Sequence, residues 1–235
     1  MDFAIIAAGE GSRLVKEGIS TPKPLINIHG LPLIERLIRI FLRCGASSIS
    51  VIVNEEMKDV QDFLKSFQLP VPFHLHIKST PSSMHSFYEL SRYLQSDRFC
   101  LTTVDPIFRE EEFFGYINEF QQSDEIDGLM AVTDYVDDES PLYVLTDSAL
   151  RIIDFPAQAP ILPQGRPIYV SGGIYCLKRT VIQLLENAIA EGISRMRNYQ
   201  RRLVTEGLSL KAYQFSTIID VDHASDIAKA ESLLS

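Results

Sequence analysis

Residues 2–7 (DFAIIA) form a short, almost wholly apolar run that stops at Gly9. A run of that length without polar alternation fits a strand buried on both faces, which is the habit of parallel sheets. Such a strand needs parallel neighbours, and the chain supplies them in alternation with helices. Leu33, Leu37, Ile40, Phe41 and Cys44 recur at helical spacing over residues 32–44, with Pro32 at the start and Gly45 past the end. Residues 48–54 (SISVIVN) read as a second buried strand, 55–67 as a helix and 73–78 (FHLHIK) as a strand. A helix over 82–94, a strand over 99–104 (FCLTTV), a helix over 109–122 and a strand over 128–134 continue the rhythm. This βαβαβ order predicts an α/β fold with a doubly wound, mostly parallel sheet, whose ligands bind beyond the carboxyl ends of the strands.

The second half changes character. Residues 142–146 and 151–155 read as short strands of a meander, and Pro156, Pro160, Pro163 and Pro167 punctuate a loop. A strand over 168–177 contains a glycine pair, helices are predicted over 178–191 and 194–206, a strand over 208–215 and a last helix over 224–234. The chain has 235 residues and shows no repeat or linker, so the expectation is one domain carrying a small inserted β region.

The net charge of −9 argues against a nucleic-acid partner, which would want a basic face. No apolar stretch approaches the ~20 residues that span a bilayer, and no targeting segment or membrane partner is expected. Cys44, Cys100 and Cys176 lie apart in apolar segments, as expected of reduced, buried thiols in a cytoplasmic protein. The five histidines show no metal-ligand spacing. Arg195, Arg197, Arg201 and Arg202 read as a solvated helix face or an anion-binding cluster.

Chemistry concentrates in Ala7-Ala8-Gly9-Glu10-Gly11-Ser12-Arg13-Leu14, followed by Thr21-Pro22-Lys23-Pro24-Leu25. Glycines directly after a buried strand let the backbone turn sharply, so that successive N–H groups can hold phosphate oxygens. Arg13 can fork onto a phosphate and Lys23 adds a point charge, which makes a local cationic spot on an acidic chain. The Walker pattern is absent, and the dinucleotide fingerprint fails because Leu14 stands where its third glycine would fall.

These two segments together resemble the signature of the nucleotidyltransferase superfamily that includes sugar-1-phosphate nucleotidylyltransferases and choline-phosphate cytidylyltransferases. The resemblance implies a Rossmann-like fold with an NTP bound by Ala7, Ala8, Gly9, Glu10, Gly11, Ser12 and Arg13. It implies that Arg13 and Lys23 act on the triphosphate and the incoming phosphate, and that Mg²⁺ sits on two acidic positions. The first would be Asp105, at the end of a strand, where an aspartate before Pro106 also reads as a turn start. The second would come from Asp220-Val221-Asp222, with Asp222 the main ligand and Asp220 secondary; the alternative is a helix-capping cluster. By the same resemblance, Ser79 and Thr80 would read the nucleobase, though the segment also suits a helix cap. Ser171, Gly172 and Gly173 would lie against the acceptor, the alternative being a β-bulge. The family's acidic-Lys pair has no counterpart at Phe155-Pro156-Ala157-Gln158, and Tyr143, Tyr169 and Tyr175 serve either the acceptor pocket or the core.

The expected domain is then residues 1–235, with a nucleotide-binding half at 1–135 and an acceptor-binding half at 136–235. The expected activity is Mg²⁺-dependent transfer of NMP from an NTP to a small phosphorylated acceptor, a sugar phosphate or choline phosphate, with release of pyrophosphate. A non-catalytic nucleotide-sugar-sensing domain is the rival, and a homodimer is compatible with the sequence. A glycosyltransferase would carry a DxD-like element where only Asp105 stands.

Overall fold

The computed structural model describes residues 1–137 and 139–235. The first strand, β1 (Asp2–Ile6), leads into α1 (Ser12–Lys16), a 3₁₀ turn at Lys23–Leu25 and a small hairpin, β2 (Asn27–Ile28) and β3 (Leu31–Pro32). Then come α2 (Leu33–Arg43), β4 (Ser48–Val53), α3 (Lys58–Lys65), β5 (Phe73–Ile77), α4 (Ser83–Ser91) and β6 (Arg98–Thr103). The chain continues through β7 (Pro106–Ile107), α5 (Glu110–Gln122), β8 (Gly128–Thr133), β9 (Tyr143–Thr146) and β10 (Ile152–Asp154). It ends with β11 (Tyr169–Lys178), α6 (Val181–Ala190), α7 (Met196–Thr205), β12 (Leu210–Gln214), β13 (Ile219–Asp220) and α8 (Ala224–Leu234).

The main sheet has nine strands. Its spine is the parallel set β6-β1-β4-β5, as the βαβ rhythm of the first half predicts. Every residue of β1 is buried, and alternate side chains enter different cores. Phe3 and Ile5 pack with α2, α3 and α5 on one face, while Ala4 and Ile6 pack with α4, α6 and α7 on the other. A strand covered on both faces has no room for polar alternation, which accounts for the apolar run at the start of the chain. Beyond β6 the order turns antiparallel. The long β11 pairs with β6, β8 and β9, and β12 then joins β8 in parallel.

The helix expected over 55–67 starts only at Lys58, because the Asn54 side chain accepts the amides of Glu56 and Met57 and holds them in a turn. No helix among the described residues is long and apolar enough to cross a membrane. The three thiols are free; Cys100 and Cys176 are buried and face each other across β6 and β11.

Candidate active site

At the end of β1 the amide of Ala7 still donates to Ile52, 2.9 Å away, and the chain then leaves the sheet. Gly11 turns it with φ of +61°, a left-handed conformation that side chains resist, and α1 begins at the next residue. A Cβ on Gly11 would sit 3.2 Å from the Lys23 Cβ, so the turn packs directly on the lysine stem. Among the described residues, the amides of Ala8, Gly9, Glu10 and Gly11 donate to no backbone carbonyl. They line a cavity of about 570 Å³ together with Thr80, Ser82, Ser86 and Asp105.

The floor of this cavity is made by three distant segments. Asp105 lies two residues past the end of β6. The two-residue strands β7 and β13 pair antiparallel, Ile219 with Ile107 and Asp220 with Pro106, and the Val221 amide donates to the Asp105 carbonyl at 3.2 Å. Val221 is fully buried, which turns the Asp222 carboxylate toward Asp105. Lys23, on its 3₁₀ turn between Pro22 and Pro24, reaches between the two. Its Nζ donates to Asp105 Oδ2 at 2.5 Å and to Asp222 Oδ1 at 2.6 Å. Arg13 Nη1 donates to the other oxygen, Asp222 Oδ2, at 2.6 Å.

Lys23 is only 7% exposed. Burial disfavours its charge, but the charges and hydrogen bonds of Asp105 and Asp222 outweigh this and hold the ammonium above its ordinary pKa. Burial likewise works against the Asp105 carboxylate, and the Lys23 charge overcomes it, leaving the group below the usual carboxylate value. The centre is therefore a buried ammonium between two carboxylates, one of which, Asp222, is partly exposed and shared with Arg13.

Asp222 is itself held from behind. Asp226 accepts the amides of Asp222, at 3.1 Å, and His223, at 2.8 Å, in the capping box that starts α8. Glu17, just past α1, accepts the Ala224 amide at 2.7 Å and pairs with His223 Nδ1 at 2.6 Å. A second cavity, of about 320 Å³, opens on the far side and is lined by Tyr135, Ser171, Gly172, Asp220, Asp226 and Lys229. Arg13 and Asp222 line both cavities.

A family model for the MobA-like NTP transferase domain matches residues 3–203. The chain belongs to that family. It is 26% identical over 227 residues to the bifunctional protein GlmU of Thermodesulfovibrio yellowstonii, an alignment covering 91% of this chain and 47% of that protein. The MobA-like domain thus spans about half the length of the curated relatives it matches. Its fold is that of the inositol-1-phosphate CTP transferase from T. maritima, with a TM-score of 0.80 at 18% identity over 99% of this chain and 95% of that one. A Bacillus anthracis structure named as a candidate glucose-1-phosphate thymidylyltransferase superposes with a TM-score of 0.83, at 23% identity over 99% and 94%. The superfamily resemblance and the Rossmann-like fold read from the sequence are therefore both borne out.

The MobA-like fold brings Ala8, Gly9, Glu10, Gly11, Ser12, Arg13, Lys23, Thr80, Asp105 and Asp222 around one cavity. Other candidates fall elsewhere. Ala7 is buried in the sheet, still bonded to Ile52. Ser79 lies outside the cavity, its hydroxyl accepting the Glu55 amide at 3.2 Å. Asp220 lines only the second cavity, whereas Asp222, two residues on, lines both. Lys23 lies between the carboxylates on the cavity floor, where Mg²⁺ was expected.

The glycine pair has a local cause. A Cβ on Gly172 would lie 2.2 Å from Ile218 Cδ1, and Gly173 takes φ of +69° with a Cβ position 2.9 Å from Thr103 Oγ1. The register of β11 against β8 shifts between Ser171 and Tyr175, so a bulge is present there. Gly173 does not line the second cavity. Ser82 caps α4 by accepting the His85 amide, as the helix-cap alternative holds, and it also lines the first cavity. Tyr169 and Tyr175 are buried in the core, and the arginine run is structural: Arg201 donates to the Phe155 carbonyl and Arg197 to that of Ser140.

Ser86 escaped sequence reading. It is buried on the first turn of α4, and its hydroxyl meets that of Thr80 at 2.6 Å. The spacing from Ser82, one helical turn, was the available signal.

Proposed function

We propose that the chain transfers an NMP unit from an NTP to a small phosphorylated acceptor of the sugar 1-phosphate type, releasing pyrophosphate, with Mg²⁺ as the metal. The observation that carries this reading is the pair Asp105 and Asp222, converging on one cation position where two cavities meet. One cavity offers free backbone amides and hydroxyls. The other is lined by acidic and basic side chains. A reaction that joins two phosphorylated molecules needs two such compartments with a shared charged boundary.

Two carboxylates aimed at one point fit a hard divalent ion. Mg²⁺ is commonly bound through one or two carboxylates, with water and substrate phosphates completing the shell. Among the described residues no cluster of three or more His, Cys, Asp or Glu could hold a metal, so an ion on these two carboxylates would draw its other ligands from water or substrate. Bound at Asp105 and Asp222, the ion would neutralise charge on the reacting phosphates.

The remaining chemistry falls to the chain. The acceptor's phosphate oxygen attacks the α-phosphorus in line, and the bond from that phosphorus to the oxygen bridging to the β-phosphate breaks. The bond electrons leave on pyrophosphate. A phosphate monoester is already anionic, so no residue has to remove a proton. The amides of Gly9–Ser12 and the guanidinium of Arg13 take up charge on the departing group. Arg13 and Asp222, shared by both cavities, align donor and acceptor.

A matrix of four NTPs against sugar 1-phosphates and choline phosphate, read by pyrophosphate release, tests the proposal. Turnover with one NTP and a sugar 1-phosphate is the expected result. NTP binding without pyrophosphate across the whole matrix would instead identify a sensing domain.

A further inference from the structure

Lys23 carries a consequence for how ligands enter. Its ammonium fills the position between Asp105 and Asp222, at 2.5 and 2.6 Å. A divalent ion approaching the same carboxylates must displace it. The lysine has little freedom to leave: Pro22 and Pro24 flank its turn, Gly11 packs on its stem, and its side chain is 8% exposed. A buried ammonium stripped of both counter-charges is strongly destabilised.

The Lys23 ammonium lines the nucleotide-side cavity, beside the amides of residues 8–11, and does not line the second cavity. A triphosphate held there would meet the displaced charge. We infer that Lys23 is the cation that holds the two carboxylates together before substrate arrives, that it competes with a divalent ion for them, and that it gives up this place to the ion only as it moves onto a bound triphosphate. This rests on the metal-dependent transferase reading above and names the side chain that couples its metal to its nucleotide. Metal and nucleotide are then coupled through one side chain, and by linkage each raises the affinity for the other by the same factor.

The test uses Mn²⁺ as a spectroscopic probe and the α,β-methylene analogues of the four NTPs, with affinities from electron paramagnetic resonance and calorimetry. The wild-type protein should bind free Mn²⁺ at least tenfold more weakly than Lys23→Met does, since the variant leaves both carboxylates without their cation. The same variant should bind the analogues more weakly, and Lys23→Met/Asp105→Asn should lose the gain in Mn²⁺ affinity. A folded Lys23→Met protein, or Lys23→Gln if the first is unstable, that binds Mn²⁺ no tighter than wild type overturns the inference. If both variants melt without metal, Mn²⁺ must raise their melting temperature more than that of wild type; an equal rise overturns it too. A wild-type protein that binds Mn²⁺ with analogue while Lys23→Met changes nothing leaves the transferase reading intact. One that binds neither probe overturns the transferase reading and this inference with it.

Discussion

Replacing Asp105 by Asn separates the structural from the chemical role of the acidic centre. The amide keeps the volume and can still accept from Lys23, whose side chain is 8% exposed, while the Asp105 side chain is 19% exposed. What is lost is one negative charge. Removing a partner from a buried ion pair costs ~3–5 kcal/mol when the survivor is left alone. Lys23 is not left alone, because Asp222 remains at 2.6 Å. The loss is then nearer the gap between a charge-assisted and a neutral hydrogen bond, ~1–2 kcal/mol. For a chain of this size that lowers the melting temperature by about 2–8 °C.

The effect on turnover is larger. An electrostatic group aimed at developing charge is worth ~3–4 kcal/mol, or about 10²–10³ in rate. Pyrophosphate release at saturating NTP and acceptor should therefore fall at least a hundredfold in a protein that still melts cooperatively. Full pyrophosphate release from Asp105→Asn would remove Asp105 from the reacting centre. A collapse of the fold far beyond 8 °C would make it a structural residue instead.

Three further outcomes follow from the geometry. Gly172→Ala places a methyl 2.2 Å from Ile218 Cδ1 and should cost ~1–3 kcal/mol; adding Ile218→Val removes the offending atom and should restore most of it in denaturant melts, whereas a neutral Gly172→Ala would show that the side chain moves aside freely. Gly11→Ala must hold φ of +61° and press on Lys23, so both stability, by ~1–2 kcal/mol, and pyrophosphate release should fall; an unchanged melting curve would contradict the strained turn. Asp2, 3% exposed at the opposite end of β1, is disfavoured as an anion by burial, but donors from Ser96, Ser48 and Gln95 more than offset this and hold its carboxyl below the ordinary value. Its stabilisation is thus complete above the unfolded pKa of about 3.9 and disappears as pH falls through the lower folded value, so Asp2→Asn should be less stable at pH 7 by ~1–2 kcal/mol with the difference vanishing in acid.

The sequence was most legible where chemistry and local pattern coincide. The apolar strand at 2–7, the glycine turn after it and an aspartate at the end of a buried strand all follow from burial on both faces of a parallel sheet. Less legible were features set by distant pairing. The strands β7 and β13 are two residues each, too short for any periodicity, yet they seat Asp222 beside Asp105. The bonds from Lys23 span 82 and 199 residues of sequence. No local signal says that a lysine between two prolines will reach two acids. The glycine pair at 172–173 shows the converse limit: a missing side chain marks a close approach but not what approaches, and here Ile218 and Thr103 supply a sufficient cause.

The division of labour at Asp222 explains why the centre uses one lysine and one arginine. Each carboxylate oxygen has its own partner, Oδ1 with Lys23 and Oδ2 with Arg13. If an ion replaced Lys23 as proposed, Arg13 on Oδ2 would keep Asp222 aimed while its other cation changed. Arginine suits the permanent bond, because its fork has five donors and only Nη1 is committed to Asp222; Nη2 stands 4.0 Å from Glu139. The remaining donors are available to phosphate without releasing the carboxylate. Lysine would suit the exchangeable position of the proposed mechanism, because a point charge can trade two carboxylates for phosphate oxygens by a small movement, without having to match a planar geometry, even on a stem packed against Gly11. Swapping the two residue types would place the rigid fork where movement is needed and the point charge where a fixed angle is needed, although the net charge of the centre would be the same.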